Sequence, residues 1–349
     1  MRLRVEERRL RLVRPLQASY GEVRERDVLV VTLEDSEGVL GRGEAAPLEA
    51  YDGISLGRAR EALESYRPIL DAAERSGLNG AQTLEACRRA DPLAEALAAV
   101  DMALWDRAGR RAGRPIAELL TDIPARAVPV NATLSALDRG TAANQAAAAA
   151  QLGFQCLKIK VGVGDDAGRV AAVRAAAGPE VKLRLDANGA WSVDEAVRSI
   201  EALSPAGLEL VEEPTHGLRE IRAVRERVAV RVAIDETAGE QGALGAGVAD
   251  AVCLKISRCG GISALLASAA LVRSSGAEVY LASNLEGPLG IAAALHAAAA
   301  LASRGPVAAC GLATLGMFED VGDPLPVRDG AIALPEGPGL GVAAPSKQL

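Results

Sequence analysis

The chain of 349 residues is 49% apolar, which is enough to build a large buried core. Its formal net charge of −7 argues against a nucleic-acid-binding surface, because such surfaces cluster Lys and Arg. The most apolar segment, residues 290–302, contains His296 and is shorter than the roughly 20 residues that cross a bilayer. We therefore expect a buried helix there and no membrane partner.

The first 120 residues predict strands followed by helices. Alternating apolar and polar residues predict strands at 3–16, 28–33 and 39–44, with a polar loop between the first two. From residue 55 onward, apolar residues recur every three or four positions, as in amphipathic helices. We expect residues 1–120 to form an α+β capping domain.

After residue 120, short apolar strands alternate with Ala-rich helical segments. The predicted strands are 130–134, 156–161, 182–186, 208–211, 230–234, 251–256, 279–282 and 307–310. Eight such units with right-handed crossovers predict an α/β fold, a modified (β/α)8 barrel of the TIM type, over 121–312. The Gly- and Pro-rich remainder, 313–349, is expected to pack back on the capping domain and complete it.

The five cysteines form no Cys-x-x-Cys pair. Their odd number, with no signal peptide apparent, predicts reduced thiols in the cytoplasm, where we interpret them as small core residues. Barrels of this size are commonly paired, so a homo-oligomer is compatible with the sequence.

Ionisable or polar residues fall at the carboxyl ends of five consecutive predicted strands, where barrel enzymes place their chemistry. These residues are Lys158 and Lys160, Asp186 and Asn188, Glu212 and Glu213, Asp235 and Glu236, and Lys255. Solvation alone would explain a polar residue at any one strand end. Five neighbouring ends converge on one mouth, however, and crowded carboxylates there need cations to compensate them.

Three of the carboxylates lie on neighbouring strands and offer hard oxygen ligands. Asp186, Glu212 and Asp235 have no Cys or well-placed His among them in this pattern. Such a donor set predicts Mg²⁺ or Mn²⁺ rather than zinc. Water and a bidentate substrate carboxylate could complete the octahedron, which predicts a small-molecule carboxylate as substrate.

The lysines supply the base. Lys158 and Lys160 are two residues apart on a strand, so both point into the barrel. Their mutual repulsion and partial burial predict that the pKa of one of them falls towards neutrality. Lys255 reaches the mouth from across the barrel and could act on the opposite face of the same carbon, as an acid or as an electrostatic stabiliser.

The ordered set of motifs resembles the muconate cycloisomerase subgroup of the enolase superfamily over nearly the whole chain. The matching segments are Lys158-Ile159-Lys160, Asp186-Ala187-Asn188-Gly189-Ala190-Trp191, Glu212-Glu213-Pro214, Asp235-Glu236 and Lys255-Ile256-Ser257, followed by Gly260-Gly261. From Lys160 to Lys255, the functional positions are 26, 26, 23 and 20 residues apart.

This resemblance implies a role for each position. The base is Lys160, assisted by Lys158, and the second catalytic lysine is Lys255. The metal ligands are Asp186, Glu212 and Asp235. Glu213 and Glu236 alternate away from the metal-facing positions, so we expect them to support the ligands from behind.

In this family, two loops of the capping domain select the substrate. Here those loops are expected around residues 18–26 and 47–53. Candidate substrate contacts are Tyr20, Arg24, Arg26 and Tyr51 in the cap, with Asn188, Ser283 and Asn284 at the barrel mouth.

The reaction type stays open between several alternatives. The segments 43–48 and 128–133 resemble o-succinylbenzoate synthases, which implies syn dehydration through an enediolate in menaquinone biosynthesis. Dipeptide epimerases usually carry Asp-x-Asp at the seventh strand end, where this chain has Ser283-Asn284-Leu285-Glu286. The segment 257–261 is more like a muconate-type cycloisomerase, and the same machinery would serve an N-succinylamino acid racemase. An inactive barrel with a binding or structural role is a further alternative, although it would have no need of all six charged residues.

Overall fold

The computed structural model describes residues 1–18, 21–319 and 321–345. An antiparallel sheet opens the chain, with strands β1 (Arg2–Ala18), β2 (Gly21–Glu34) and β3 (Leu40–Ala45) in that order. This sheet confirms the predicted meander. The predicted loop at 18–26 is wrong for its described residues, because Ala18 pairs with Gly21 and strand β2 includes residues 21–26.

Helices pack on one face of this sheet. They are α1 (Glu49–Asp52), α2 (Leu56–Ala73), α3 (Gly80–Ala90), α4 (Ala94–Ala112) and α5 (Ile116–Leu120). Glycines let α4 lie directly on β3, since a Cβ atom on Gly43 would stand 2.0 Å from the Ala99 carbonyl oxygen. The close contact buries an Ala- and Leu-rich core that includes Tyr66.

The second sheet is parallel and curls into the barrel. Its strands are β5 (Ala132–Leu134), β6 (Cys156–Lys160), β7 (Lys182–Asp186), β8 (Leu208–Glu212), β9 (Val232–Ile234), β10 (Ala251–Leu254) and β11 (Glu278–Leu281), which follow one another in space as in sequence. The surrounding helices are α6 (Arg139–Gln151), α7 (Asp166–Ala177), α8 (Val193–Leu203), α9 (Leu218–Arg225), α10 (Ile256–Cys259), α11 (Ile262–Ser274) and α12 (Pro288–Ala302). These elements confirm the predicted α/β barrel and its capping domain.

The eighth predicted strand, at 307–310, is wrong as a regular strand. In the described residues this segment forms two isolated parallel bridges, from Cys310 to Val130 and from Gly311 to Ala282. The bridges close the barrel between β11 and β5. Alanine has a low strand propensity, and Ala308 and Ala309 precede the first bridge, so the pairing is limited to one contact on each side.

The C-terminal segment contacts the first part of the chain. Strands β12 (Val327–Arg328) and β13 (Ala331–Ala333) extend from β4 (Ala127–Pro129) as a small antiparallel sheet. Leu340 N–H donates to Asp106 Oδ1 of α4 at 2.8 Å. The bounds of 1–120, 121–312 and 313–349 stay a prediction.

Helix α12 contains a histidine with no exposed surface. His296 Nδ1 lies 3.3 Å from the Ala117 N–H, and Nε2 lies 3.2 Å from the Leu340 carbonyl oxygen. The neutral ring with its proton on Nε2 satisfies both partners. Burial lowers the pKa of His296 to about 4. Each helix in the described part of the chain falls short of the length or the apolarity needed to cross a membrane.

We predict that His296 makes the fold sensitive to acid. Its pKa is about 4 in the folded protein and 6.5 in the unfolded chain. The contribution of the neutral ring to the free energy of unfolding is therefore fully present above pH 6.5 and is lost as the pH falls towards 4. The loss is about 2 kcal/mol by pH 5 and about 3 kcal/mol by pH 4. Urea unfolding of the parent and of His296→Gln at several pH values would measure it. Identical pH dependence in both proteins would contradict the assignment.

Candidate active site

The carboxyl ends of the barrel strands open into a pocket beneath the cap. The residues predicted for the site that line it are Tyr51, Lys158, Lys160, Asp186, Asn188, Glu212, Asp235, Lys255, Ser283 and Asn284. The spatial order of the strands sets the arrangement. The carboxylates of β7, β8 and the end of β9 lie between the lysines of β6 and the lysine that follows β10.

Two lysines contact the first two carboxylates. Lys158 Nζ lies 2.7 Å from Glu212 Oε1 and 2.8 Å from Asp186 Oδ2. Lys160 Nζ lies 2.6 Å from Asp186 Oδ2 and donates to Asn188 Oδ1 at 2.6 Å. The strand register produces these contacts, because Lys160 pairs with Asp186 and Asp186 with Glu212.

These contacts fix the charge of the buried groups. Burial disfavours the ammonium form of Lys158, but Asp186 and Glu212 outweigh burial and hold the pKa of Lys158 well above its usual value. Burial also disfavours the Asp186 carboxylate, yet the two lysines hold its pKa below the usual range. Burial raises the pKa of Glu212, with further contributions from Asp186 and Asp235. The predicted fall in a lysine pKa therefore does not occur at Lys158.

The third lysine connects the barrel to the cap. Lys255 Nζ lies 2.7 Å from Asp235 Oδ2 and 2.6 Å from the Tyr51 hydroxyl. Burial disfavours its charge, but Asp235 and Tyr51 hold the pKa of Lys255 well above its usual value. Arg258 Nη1 donates to the same hydroxyl at 3.1 Å. Lys255 is therefore a protonated, nearly enclosed cation.

The site offers buried oxygen donors for a cation. Asp235 Oδ1 is buried and has no hydrogen-bond partner among the described residues. Arg258 Nη1 lies 3.8 Å from it. Glu212, Asp235 and Cys253 each offer a ligand atom within 4.8 Å of the others, and all three are buried. The expectation that no Cys lies among the carboxylates is therefore wrong, because Cys253 on β10 lies beside two of them.

Two further carboxylates support the pocket from outside. Glu213 Oε2 accepts from the Asp235 N–H at 2.8 Å, and Oε1 accepts from the Thr237 N–H at 3.0 Å and contacts His216 Nδ1 at 3.0 Å. These bonds hold the backbone that carries Asp235. Burial raises the pKa of Glu213.

Glu236 is connected to Lys160 through Asn188. Its Oε1 accepts from Asn188 Nδ2 at 3.0 Å, and Asn188 Oδ1 accepts from Lys160. Burial also raises the pKa of Glu236. Asn188 has a positive φ of 44°, a conformation that Asn tolerates better than most residues. The chain of bonds orients the Lys160 ammonium group.

Tyr280 is a pocket residue that sequence reasoning missed. Its hydroxyl donates to Glu212 Oε2 at 2.8 Å, and Arg184 lies 4.9 Å from the centre of its ring. Arg184 is itself buried and lies 2.6 Å from Glu209. The available signal was the position of Tyr280 two residues before Ala282 at the strand end, which predicts an inward side chain.

The described cap residues that were predicted to contact the substrate lie in three different environments. Tyr51 lines the pocket. Arg24 extends from β2 into solvent, with its side chain 70% exposed and 2.6 Å from Glu22. Arg26 is buried and donates to the carbonyl oxygens of Ala46, Pro47 and Asn284. Both arginines belong to a strand where a loop was predicted. Tyr20 lies outside the described residues.

The seventh strand end presents neutral side chains to the pocket. Ser283 and Asn284 line it. Glu286 is 1% exposed, and its carboxylate accepts from Ser257 Oγ at 2.9 Å, Ser283 Oγ at 2.8 Å and the Asn284 N–H at 2.5 Å. The Glu286 carboxylate thus makes its hydrogen bonds within the protein.

Two family models match the chain. The "Mandelate racemase / muconate lactonizing enzyme, N-terminal domain" matches residues 2–121. The "Enolase C-terminal domain-like" family matches residues 141–347.

Relatives with different activities are similar to this chain. The hydrophobic dipeptide epimerase of Enterococcus faecalis is 32% identical over 305 residues, which cover 84% of each chain. The o-succinylbenzoate synthase of Thermobifida fusca is 41% identical over 209 residues, which cover 57% of this chain and 63% of that protein. The crystal structure of the Enterococcus faecalis epimerase, complexed with Mg and the dipeptide L-Leu-L-Tyr, has a TM-score of 0.88 at 28% identity and covers 98% of this chain and 99% of that one. The chain therefore belongs to the enolase superfamily, among the relatives of mandelate racemase and muconate lactonizing enzyme.

Proposed function

We propose that this protein is a Mg²⁺-dependent enzyme that removes the proton α to a substrate carboxylate, with Lys160 as the base. One observation carries the proposal. Three buried carboxylates stand between lysines from β6 and from the end of β10, and all these groups line one pocket. Such a site can take up a carboxylate substrate, accept its α-proton and offset the charge that develops.

Asp186, Glu212 and Asp235 would hold the metal. The donor set is made of hard oxygens, which suit Mg²⁺ and also Mn²⁺. The fit is supported by Asp235 Oδ1, which is buried without a hydrogen-bond partner among the described residues. When bound, Mg²⁺ supplies Lewis-acid stabilisation of the negative charge on the substrate carboxylate.

The charges in the pocket favour a dication beside the carboxylates. The carboxylates contribute three negative charges, and Lys158 and Lys255 contribute two positive ones because both stay protonated. A dication would offset the carboxylate charge that these two lysines leave and would attract the substrate carboxylate. In the proposed reaction the Lys160 amine accepts the α-proton, and the Lys158 and Lys255 ammonium groups offset the charge that develops on the substrate.

We propose syn dehydration to o-succinylbenzoate as the reaction. Lys160 accepts the α-proton, the enediolate expels the β-hydroxyl as the double bond forms, and the Lys160 ammonium returns the proton so that water leaves. Lys255 stays protonated and stabilises the enediolate. The 41% identity to the Thermobifida fusca synthase over the matched part supports this reaction.

The seventh strand end argues against a dipeptide substrate. A dipeptide carries a free ammonium group, which needs an anionic partner when it is buried. Ser283 and Asn284 are neutral, and Glu286 already accepts three hydrogen bonds within the protein. A substrate without an ammonium group fits this surface better, despite the long match to the epimerase.

An N-succinylamino acid racemase is the second candidate. The acylated amine of its substrate is neutral, which suits the same strand end. The enclosed Lys255 ammonium could donate a proton to the face opposite Lys160. The two reactions therefore differ in whether a leaving group is present on the β-carbon of the substrate.

A substrate panel tests the proposal. Purified protein with Mg²⁺ would be incubated with the cyclohexadiene carboxylate that precedes o-succinylbenzoate, with an N-succinylamino acid and with a dipeptide. We expect the highest kcat/KM for dehydration, a lower value for the N-succinylamino acid and the lowest for the dipeptide. Fastest turnover of the dipeptide would overturn the substrate assignment, and no turnover or α-proton exchange with any compound would overturn the catalytic one.

A further inference from the structure

Cys253 lies beside the carboxylates inside the barrel. It is two residues before Lys255 on the same extended segment, so both side chains point to the same side. Val252 pairs with Ile234 across β10 and β9, and continuing this register by one residue places Cys253 next to Asp235. The thiol is therefore one layer below the strand ends that carry the lysines.

Cys253, Glu212 and Asp235 have the geometry of a metal site. Their ligand atoms lie within 4.8 Å of one another, and the three side chains are buried. Bonds of about 2.3 Å to sulfur and about 2.0–2.2 Å to oxygen place the donors of a tetrahedral ion roughly 3.5 Å apart. Reaching this separation requires side-chain rotations in which Glu212, now bonded to Lys158 and Tyr280, turns an oxygen towards the ion.

A second observation, which also supports the proposed Mg²⁺ site, indicates that a cation fits here. Asp235 is 4% exposed, and its Oδ1 atom has no hydrogen-bond partner among the described residues. Lys255 is bonded to the other oxygen, Oδ2. A buried carboxylate oxygen without a partner is costly, and a cation beside Cys253 would supply one.

We propose that Glu212, Asp235 and Cys253 bind a thiophilic divalent cation of the zinc class, deeper in the barrel than the Mg²⁺ ion of the proposed function. Sulfur favours zinc-class ions, whereas Mg²⁺ prefers oxygen alone. The two ions exclude each other, because Glu212 and Asp235 serve both. A zinc-class ion is therefore a competitive inhibitor of activation by Mg²⁺.

Cobalt is the probe for this site. Metal-free protein would be titrated with Co²⁺ in the absence of substrate, so that the result does not depend on the proposed reaction. We expect a sulfur-to-cobalt charge-transfer band in the near ultraviolet, which Zn²⁺ then removes by displacement. The band should be absent in Cys253→Ser and present in Cys310→Ser, a matched control in which another buried thiol is changed.

Affinity gives a second measure. Zn²⁺ should bind Cys253→Ser at least about 100-fold more weakly than the parent, since loss of even an outer-shell partner costs about 10–100-fold. Mg²⁺ affinity should change by less than about threefold, because Mg²⁺ has little preference for sulfur. Melting curves in the presence of Mg²⁺ would check the fold of each variant.

Two results would overturn the inference. One is a parent that binds Co²⁺ without a sulfur band or does not bind it, and the other is a band of equal strength in Cys253→Ser. If Cys253→Ser does not fold, X-ray absorption of the zinc-loaded parent decides, because it detects a sulfur ligand at about 2.3 Å or shows that none is present. A parent that binds Mg²⁺ but shows no sulfur ligand contradicts only this inference and leaves the proposed function standing.

Discussion

Lys160→Ala is expected to lower α-proton exchange by about 10³-fold, within the range of about 10²–10⁴ that a positioned base contributes. The substitution removes the group that we propose accepts the proton and leaves Lys158 bonded to Asp186 and Glu212. Lys158 cannot replace it, because its pKa is held well above the usual value. The rate of dehydration of the cyclohexadiene carboxylate would measure the loss of proton removal, and deuterium incorporation from D₂O into an N-succinylamino acid, whose α-carbon keeps a hydrogen, would measure the loss of exchange.

Lys182→Ala is the matched control for this measurement. Lys182 begins β7 at the opposite end of the barrel and has a 63% exposed side chain that contacts Glu209. Its removal should leave exchange at the parental rate. Equal exchange in Lys160→Ala and the parent would show that another group is the base.

Asp235→Asn is expected to weaken Mg²⁺ binding by about 100-fold or more, because outer-shell changes alone cost about 10–100-fold. The amide keeps the shape of the side chain but removes the negative charge that a hard dication needs. It also takes the anionic partner from Lys255, which lies 2.7 Å from Asp235 Oδ2. Titration calorimetry of the metal-free protein with Mg²⁺, without substrate, would measure the affinity.

Asp194→Asn provides the comparison, since it makes the same chemical change on the surface. Asp194 is 71% exposed and pairs with Arg227, so Mg²⁺ affinity should not change. An Asp235→Asn protein that binds Mg²⁺ as tightly as the parent would remove Asp235 from the proposed ligands.

Much of the site could be predicted from the sequence because of how parallel barrels are built. Each strand places its last inward residue at the same mouth, so Lys160, Asp186 and Glu212 could be brought together from strand periodicity alone. In the structure, Lys160 lies opposite Asp186 and Asp186 lies opposite Glu212. The same periodicity predicted the meander of the cap.

Contacts across the barrel could not be predicted in this way. Tyr280 reaches Glu212 from β11 on the far side of the sheet, and Cys253 on β10 comes within 4.8 Å of Glu212 on β8 because the sheet curls. Both contacts depend on curvature and side-chain direction between strands that are distant in sequence. Arg24 and Arg26 have different positions from those expected because the first hairpin continues where polar composition indicated a loop.

The bond between Lys255 and the Tyr51 hydroxyl joins residues 204 positions apart in the chain. It crosses from the cap to the barrel, so the environment of this lysine is complete only when the two parts are docked. Val30, Ala98 and Met102 of the cap also belong to the same hydrophobic cluster as the barrel core, so loosening the cap would expose part of that core together with the Lys255 ammonium group. The proposed activity should therefore be lost in the same transition as the fold when the protein is heated or denatured.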